Sequence, residues 1–310
     1  MSNQKPAPAP GVYCTLEELS QDAMKAVGTL HLRRKSRVLH SGAKRSSIRG
    51  RGMEFFESRP YVIPDEMRSI DWKVSARLNT LFTKIFVEEK DRPIVLALDF
   101  RSHMYFGTRN YFKSVLAAKI AARLAQAAIN GGDPVRALFF DDHGIAESRL
   151  GARRKDLALI LGMLAHFTQK PQQEMRFPQS SFWHATLSHL YNRVPRGSAV
   201  FIISDFQAFD SEAHNLLYRL RKRADIFALS LLDPLEEHLP RMGILGMNYG
   251  DQEIFFDSSQ KHLQEAYSQR YKNNGQKRAQ IFLSLDIPEL SFCTADNLDQ
   301  SLVKLFSGRW

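Results

Sequence analysis

Pro93-Ile94-Val95-Leu96-Ala97-Leu98-Asp99-Phe100 is a short, continuous apolar run that ends in an acid. Such a run, without polar alternation, is the pattern of a strand buried on both faces, as in a parallel sheet. Ser198-Ala199-Val200-Phe201-Ile202-Ile203-Ser204-Asp205 repeats it and again ends in aspartate. Between and beyond these two runs the pattern alternates. Helices are expected over 111–130, 155–167, 185–194, 210–224, 260–273 and 298–306, and strands over 135–140, 225–232 and 290–295, with 143–150 as a hairpin partner. Alternating strands and helices imply an α/β fold with a doubly wound, mostly parallel sheet of Rossmann-like type.

Upstream the pattern differs. Residues 1–14 are expected to form a disordered, Pro- and Ala-rich tail. Thr15 and Glu18 make a capping-box pattern ahead of Leu16, Leu19, Ala23, Met24 and Val27, which suit one helical face. Strands are expected near 54–57 and 81–87, with a short turn or helix near 64–76. The expected division is therefore a tail (1–14), an N-terminal β-containing module (15–91) and the α/β domain (92–310).

The chain has 310 residues, 44% of them hydrophobic, enough to bury a sizeable core. Its 43 basic and 33 acidic residues give a net charge of +10. Much of that excess lies in one stretch that holds Arg33, Arg34, Lys35, Arg37, Lys44, Arg45, Arg49 and Arg51 and no acid. A charge run is usually a solvated face, and this one could also meet an acidic protein, lipid headgroups or nucleic acid. It has no interleaved aromatics to stack bases, which argues against nucleic acid. Two cysteines, Cys14 and Cys293, make a disulfide framework an improbable reading. No signal-peptide pattern opens the chain and no run approaches the roughly 20 apolar residues of a membrane span, so a cytoplasmic location is expected.

In a doubly wound sheet, ligands bind beyond the carboxyl ends of the strands where the strand order reverses. Asp99 and Asp205 both end strands. Facing carboxylates there suit a hard divalent cation such as Mg²⁺, and they equally suit helix N-caps. No P-loop, GxSxG elbow or HExxH helix is present, and the histidines are scattered. The residues do not suggest an enzyme; the two aspartates alone speak for a Mg²⁺-dependent one.

The order and spacing of LALD and FIISD resemble a von Willebrand A domain. The segment from Gly50 to Glu89 resembles family 58 of domains of unknown function. It carries Gly50, Gly52, Glu54, Phe55, Arg59, Tyr61, Asp65, Arg68, Ile70, Asp71, Trp72, Ser75, Ala76 and Arg77, and the combined likeness runs over about residues 40–306. Read as physics, Glu54, Arg59, Asp65, Arg68, Asp71 and Arg77 alternate in sign. Carboxylate–guanidinium pairs among them are expected to fasten the segment to the α/β domain, with some charges facing a partner as the other reading.

The resemblance implies a metal-ion-dependent adhesion site of the form Asp-x-Ser-x-Ser-Met, plus a threonine and a second aspartate. Here the motif reads Asp99-Phe100-Arg101-Ser102-His103-Met104. Arg101 offers a cation no lone pair, and Mg²⁺ prefers oxygen to the nitrogen of His103. The expectation is a degenerate site of Asp99, Ser102, Thr186 and Asp205, with no cofactor beyond weak Mg²⁺ binding. Arg101 either lies between Asp99 and Asp205, replacing the ion's charge, or points into solvent. Arg101, His103 and Asp205 are also the expected protein contacts, within a surface formed by 101–109, 205–209 and 182–185. The resemblance implies a non-catalytic adaptor for a MoxR-type AAA+ ATPase and a client protein. The alternative is a nucleic-acid or anionic-surface binder that uses the 31–52 segment.

Overall fold

The computed structural model describes residues 11–26, 53–63, 65–88, 92–170, 180–209, 211–249 and 252–306. The basic segment 31–52 lies outside the described residues up to its last member, as do residues 1–10 of the expected tail.

In chain order the elements are α1 (Leu16–Met24), β1 (Met53–Pro60), α2 (Trp72–Leu78), β2 (Phe82–Glu88), β3 (Ile94–Asp99), α3 (Lys113–Gly131), β4 (Val135–Asp141), β5 (Gly144–Glu147), α4 (Arg154–Thr168) and α5 (Ser180–Arg193). They continue with β6 (Ala199–Ser204), α6 (Ser211–Arg221), β7 (Asp225–Leu232), α7 (Pro234–Glu237), β8 (Ile244–Tyr249), β9 (Gln252–Asp257), α8 (Lys261–Ser284), β10 (Glu289–Cys293) and α9 (Leu298–Phe306).

The central sheet has the order β10-β7-β6-β3-β4-β5. All neighbours run parallel except β5, which returns antiparallel on β4. The two apolar runs that end in aspartate are its central strands: every residue of β3 and β6 is buried. From β3 the chain winds outward to β4 and β5, then crosses back to β6 and outward again to β7 and β10. The strand order therefore reverses between β3 and β6. One face of the sheet packs Trp183, Leu187 and Leu190 of α5, Ala213, Leu217 and Leu220 of α6, and Phe282 of α8 against Val95, Ala97, Val200 and Ile202. Alternate strand residues point to the opposite face, where α3 and α4 pack. This is the doubly wound α/β fold expected from the sequence.

The chain divides into two compact units, 1–31 with 92–310, and 32–91. The N-terminal helix thus falls with the sheet rather than with the 15–91 module. Its capping box forms as expected, with Thr15 and Glu18 exchanging bonds. Its buried Asp22 accepts from Arg123 of α3 at 2.9 Å. Residues 11–14, expected in a disordered tail, are ordered as well: the Phe112 amide donates to the Gly11 carbonyl, and buried Cys14 exchanges hydrogen bonds with Thr168 of α4. This short stretch becomes fixed because backbone bonds hold Gly11 and Cys14 and a buried ion pair holds the helix that follows.

The second unit is an antiparallel pair, β1 with β2, whose register shifts between Phe55 and Glu57, with α2 in the connection. Asp71 caps α2 by accepting from the Val74 amide, and it also accepts from Ser58 Oγ at 2.9 Å. Arg59 pairs with Asp65 at 2.7 Å. The Ser75 hydroxyl accepts from the Phe82 amide. These signature residues close bonds inside their own unit. Glu54 has no described side chain.

Candidate functional site

The reversal of strand order places Asp99, the last residue of β3, beside Asp205, which directly follows β6. Both carboxylates are buried. Asp99 is held from one side by Arg101: the backbone amide and Nε donate to Oδ1 at 3.0 Å each, and Nη2 to Oδ2 at 2.6 Å. Ser204 Oγ, at the end of β6, donates to the same Oδ2 at 2.6 Å. Asp205 is held by two other cations. His103 Nε2 lies 3.1 Å from its Oδ1, and Lys113 Nζ lies 2.5 Å from its Oδ2. Lys113 also reaches Glu236 Oε1 at 2.5 Å.

Three side-chain cations, Arg101, His103 and Lys113, thus face three carboxylates, Asp99, Asp205 and Glu236. Burial alone would raise the pKa of Asp99, yet the adjoining Arg101 holds it well below the usual carboxylate range. Asp205 is likewise pushed up by desolvation and brought far lower by His103 and Lys113. For His103, burial disfavours the charged ring, and Asp205 outweighs that effect to push its pKa up to about 9. Lys113, wholly buried, is lowered by desolvation and raised above its ordinary value by Asp205 and Glu236.

Local structure explains how these groups arrive. After β3 the chain makes a single 3₁₀ turn, Ser102–Met104, which aims His103 back at the strand ends. After β6, Phe206 and Ala208 both take left-handed backbone conformations, φ 55° and 56°. That region costs a non-glycine residue on the order of 1–2 kcal/mol. Aromatic packing holds the turn in place: Phe206 stacks on Trp183 with centroids 5.5 Å apart, and Trp183 Nε1 donates to the Gln207 carbonyl at 2.9 Å. Arg101 in turn lies over Phe182 and Trp183, at 4.6 and 5.1 Å from the ring centres. Phe182 and Trp183 belong to α5, which begins before the expected 185.

The structure corrects several expectations. Arg101 neither bridges the two aspartates nor points into solvent. It is 1% exposed and fixed side-on to Asp99, so the direct contact with a partner carboxylate expected of it has no accessible surface. The Ser102 amide donates to Asp142 Oδ2. Thr186 is buried, and its hydroxyl has no hydrogen-bond partner among the described residues. His103, expected as a protein contact and as a poor ligand for Mg²⁺, belongs to the cluster itself. Lys113, Ser204 and Glu236 were not expected. A signal for Lys113 stands in the sequence: it opens the long apolar helix α3, where the helix dipole disfavours a cation, so carboxylates must lie nearby.

Asp99, His103 and Asp205 each bring a ligand-type atom within 4.8 Å of the others, the spacing of a metal triad. The donor set nevertheless does not fit a divalent cation. All four carboxylate oxygens already face hydrogen-bond donors, among them Arg101, Lys113 and the Gln207 amide. The cluster's charges already balance. An added ion would leave an uncompensated buried charge, which costs several kcal/mol.

The family model described as "Protein of unknown function DUF58" matches residues 57–277. An uncharacterized protein of Mycobacterium tuberculosis (strain ATCC 25618 / H37Rv) is 29% identical over 233 residues, 70% of this chain and 68% of that protein. One from Mycobacterium bovis matches to the same extent. Among solved structures, the conserved hypothetical protein BatB from Bacteroides thetaiotaomicron shares 13% identity at a TM-score of 0.40, covering 70% of this chain and 100% of that one. An aerotolerance-related membrane protein from Bacteroides fragilis shares 14% at 0.42, covering 70% and 96%. Among the described residues no helix is long and apolar enough to cross a membrane.

Two outcomes follow from the cluster. Lys113→Met leaves Asp205 and Glu236 short of a cation, and denaturant unfolding should show a loss of about 3–5 kcal/mol. His103 carries a raised folded pKa, so its contribution is complete below its ordinary value of 6.5 and is lost as pH rises through about 9. Wild-type stability should fall across that window, by up to about 3 kcal/mol, and the His103→Gln variant should lack this fall.

Proposed function

This chain belongs to the DUF58 family, and from that membership we propose that it is a non-catalytic, protein-binding adaptor. In this reading the sheet is of von Willebrand A type, and its metal-ion-dependent adhesion site is degenerate, with fixed side-chain cations where an ion would stand. The partner is a MoxR-type AAA+ ATPase, which the adaptor helps to act on a client protein in the cytoplasm.

One observation carries the reading: the charge-balanced cluster at the switch point between β3 and β6. General acid–base catalysis near neutral pH needs a group whose pKa lies close to 7. Here the ion pairs drive four of the five titrating groups the other way, and burial raises only Glu236 above its ordinary value. Asp99 and Asp205 stay ionised, while His103 and Lys113 stay protonated. A crevice so neutralised suits a rigid platform better than a reactive centre. Around it, exposed Arg109, His184 and Ala208 provide the rim available to another protein.

Titration calorimetry of the purified chain with a MoxR-type AAA+ ATPase tests this. Saturable binding is expected, weakened at least tenfold in the double variant Arg109→Glu, His184→Glu without a change in melting temperature. Binding that the rim variant leaves unchanged would contradict the placement of the surface. Absence of binding to the ATPase would contradict the adaptor reading itself.

A further inference from the structure

The signature segment divides sharply by exposure. Arg59, Asp65, Asp71 and Ser75 are spent on bonds inside their unit. Trp72 is 65% exposed, although tryptophan is among the most highly buried residues on average. Ile63 and Met67, nearby in sequence, are 84% and 70% exposed. On α2, Trp72 starts one stripe, and Lys73 and Arg77 form the neighbouring stripe one turn apart. Arg68, Lys73 and Arg77 are all exposed, and none pairs with a carboxylate among the described residues. Apolar surface of this kind with a charged rim marks an interaction site. Its composition of tryptophan, methionine and arginine is that of interface cores and hot spots.

We propose that the face of α2 bearing Trp72, Lys73 and Arg77, with the exposed Ile63, Met67 and Arg68 in the chain just before it, is a second protein-docking surface, and that its occupant is a protein segment pairing apolar side chains with carboxylates. Charge guides the choice of occupant: among the described residues from 66 to 78 the exposed charged groups are the cations Arg68, Lys73 and Arg77 and the single acid Glu66, with Glu57 of β1 as a further exposed acid in this unit. The guanidiniums of Arg68 and Arg77 provide bidentate donors for carboxylates, while Trp72 provides a rigid apolar anchor. The surface deepens the protein-binding reading and rests on it. An adaptor between two proteins needs two faces, and this one lies in the unit that does not contain the aspartate cluster.

The test uses the full chain and three synthetic octapeptides: alternating Glu-Leu, alternating Lys-Leu and alternating Glu-Ser. Trp72 fluorescence is isolated as the difference between wild type and Trp72→Phe. The Glu-Leu peptide should shift that emission at a concentration at least tenfold below either other peptide. Lys73→Glu with Arg77→Glu should abolish the preference while leaving the melting temperature unchanged. Acrylamide should quench Trp72 freely in the unliganded chain and weakly once the Glu-Leu peptide is bound. A response equal for all three peptides, or unaffected by the charge reversal, would make this a merely solvated face and overturn the proposal. Trp72 already shielded in the free chain would overturn it too, by showing that the protein's own residues cover it. None of these readouts involves the ATPase, so a failure here and a failure of the adaptor reading are separately visible.

Discussion

Two buried carboxylates, Asp99 and Asp205, meet at the point where the order of the central sheet reverses. The surrounding structure is organised by the need to keep both ionised. Like charges in a low-dielectric interior repel, and one of them would take up a proton unless cations stood close by. Two segments supply three cations: the turn after β3 with Arg101 and His103, and the start of α3 with Lys113. Glu236 of α7 balances the third, so the ends of four elements are tied to one charge-neutral knot. Asp99, Arg101, Lys113 and Asp205 are buried and His103 and Glu236 nearly so, so removing any one leaves another uncompensated, and the knot is rigid for that reason.

Backbone strain and aromatic packing serve the same end. Left-handed Phe206 and Ala208 are unfavourable for their residue types. They persist because Trp183, Phe209 and Phe282 enclose Phe206. Strained backbone of this sort clusters at functional sites, and here it fixes Asp205 where His103 and Lys113 can both reach it.

How much of this was legible in the sequence depended on the range of the interaction. Runs such as 93–100 and 198–205 announced buried parallel strands because burial on both faces removes all polar alternation. The capping box of α1 was legible because its bonds span only three positions. Longer-range effects were not. The helix expected to stop at Asn273 runs on through Gly275 to Ser284, since Phe282 anchors its end in the core against the local preference of Asn273-Asn274-Gly275. The hairpin of β8 and β9 was passed over, although Ile244-Leu245 and Ile254-Phe255-Phe256 flank Gly250-Asp251. At the site, Asp99 and Asp205 could be paired from strand ends alone. Lys113 and Glu236, more than a hundred residues apart, could not be matched without the topology that joins them. The side of the strand on which Arg101 would lie depended on Phe182 and Trp183, distant rings that cover it.

On the proposed reading, fixed side-chain cations hold the position a metal ion would take between Asp99 and Asp205. Isothermal titration of the purified chain with Mg²⁺ and with Mn²⁺, beside an Asp99→Ala control, addresses it most directly. The cluster described here predicts no saturable heat with either ion and the same flat trace from the control. Saturable binding at micromolar concentration that the Asp99→Ala substitution abolishes would contradict it, and would show that the ion displaces Arg101 or Lys113 from the carboxylates.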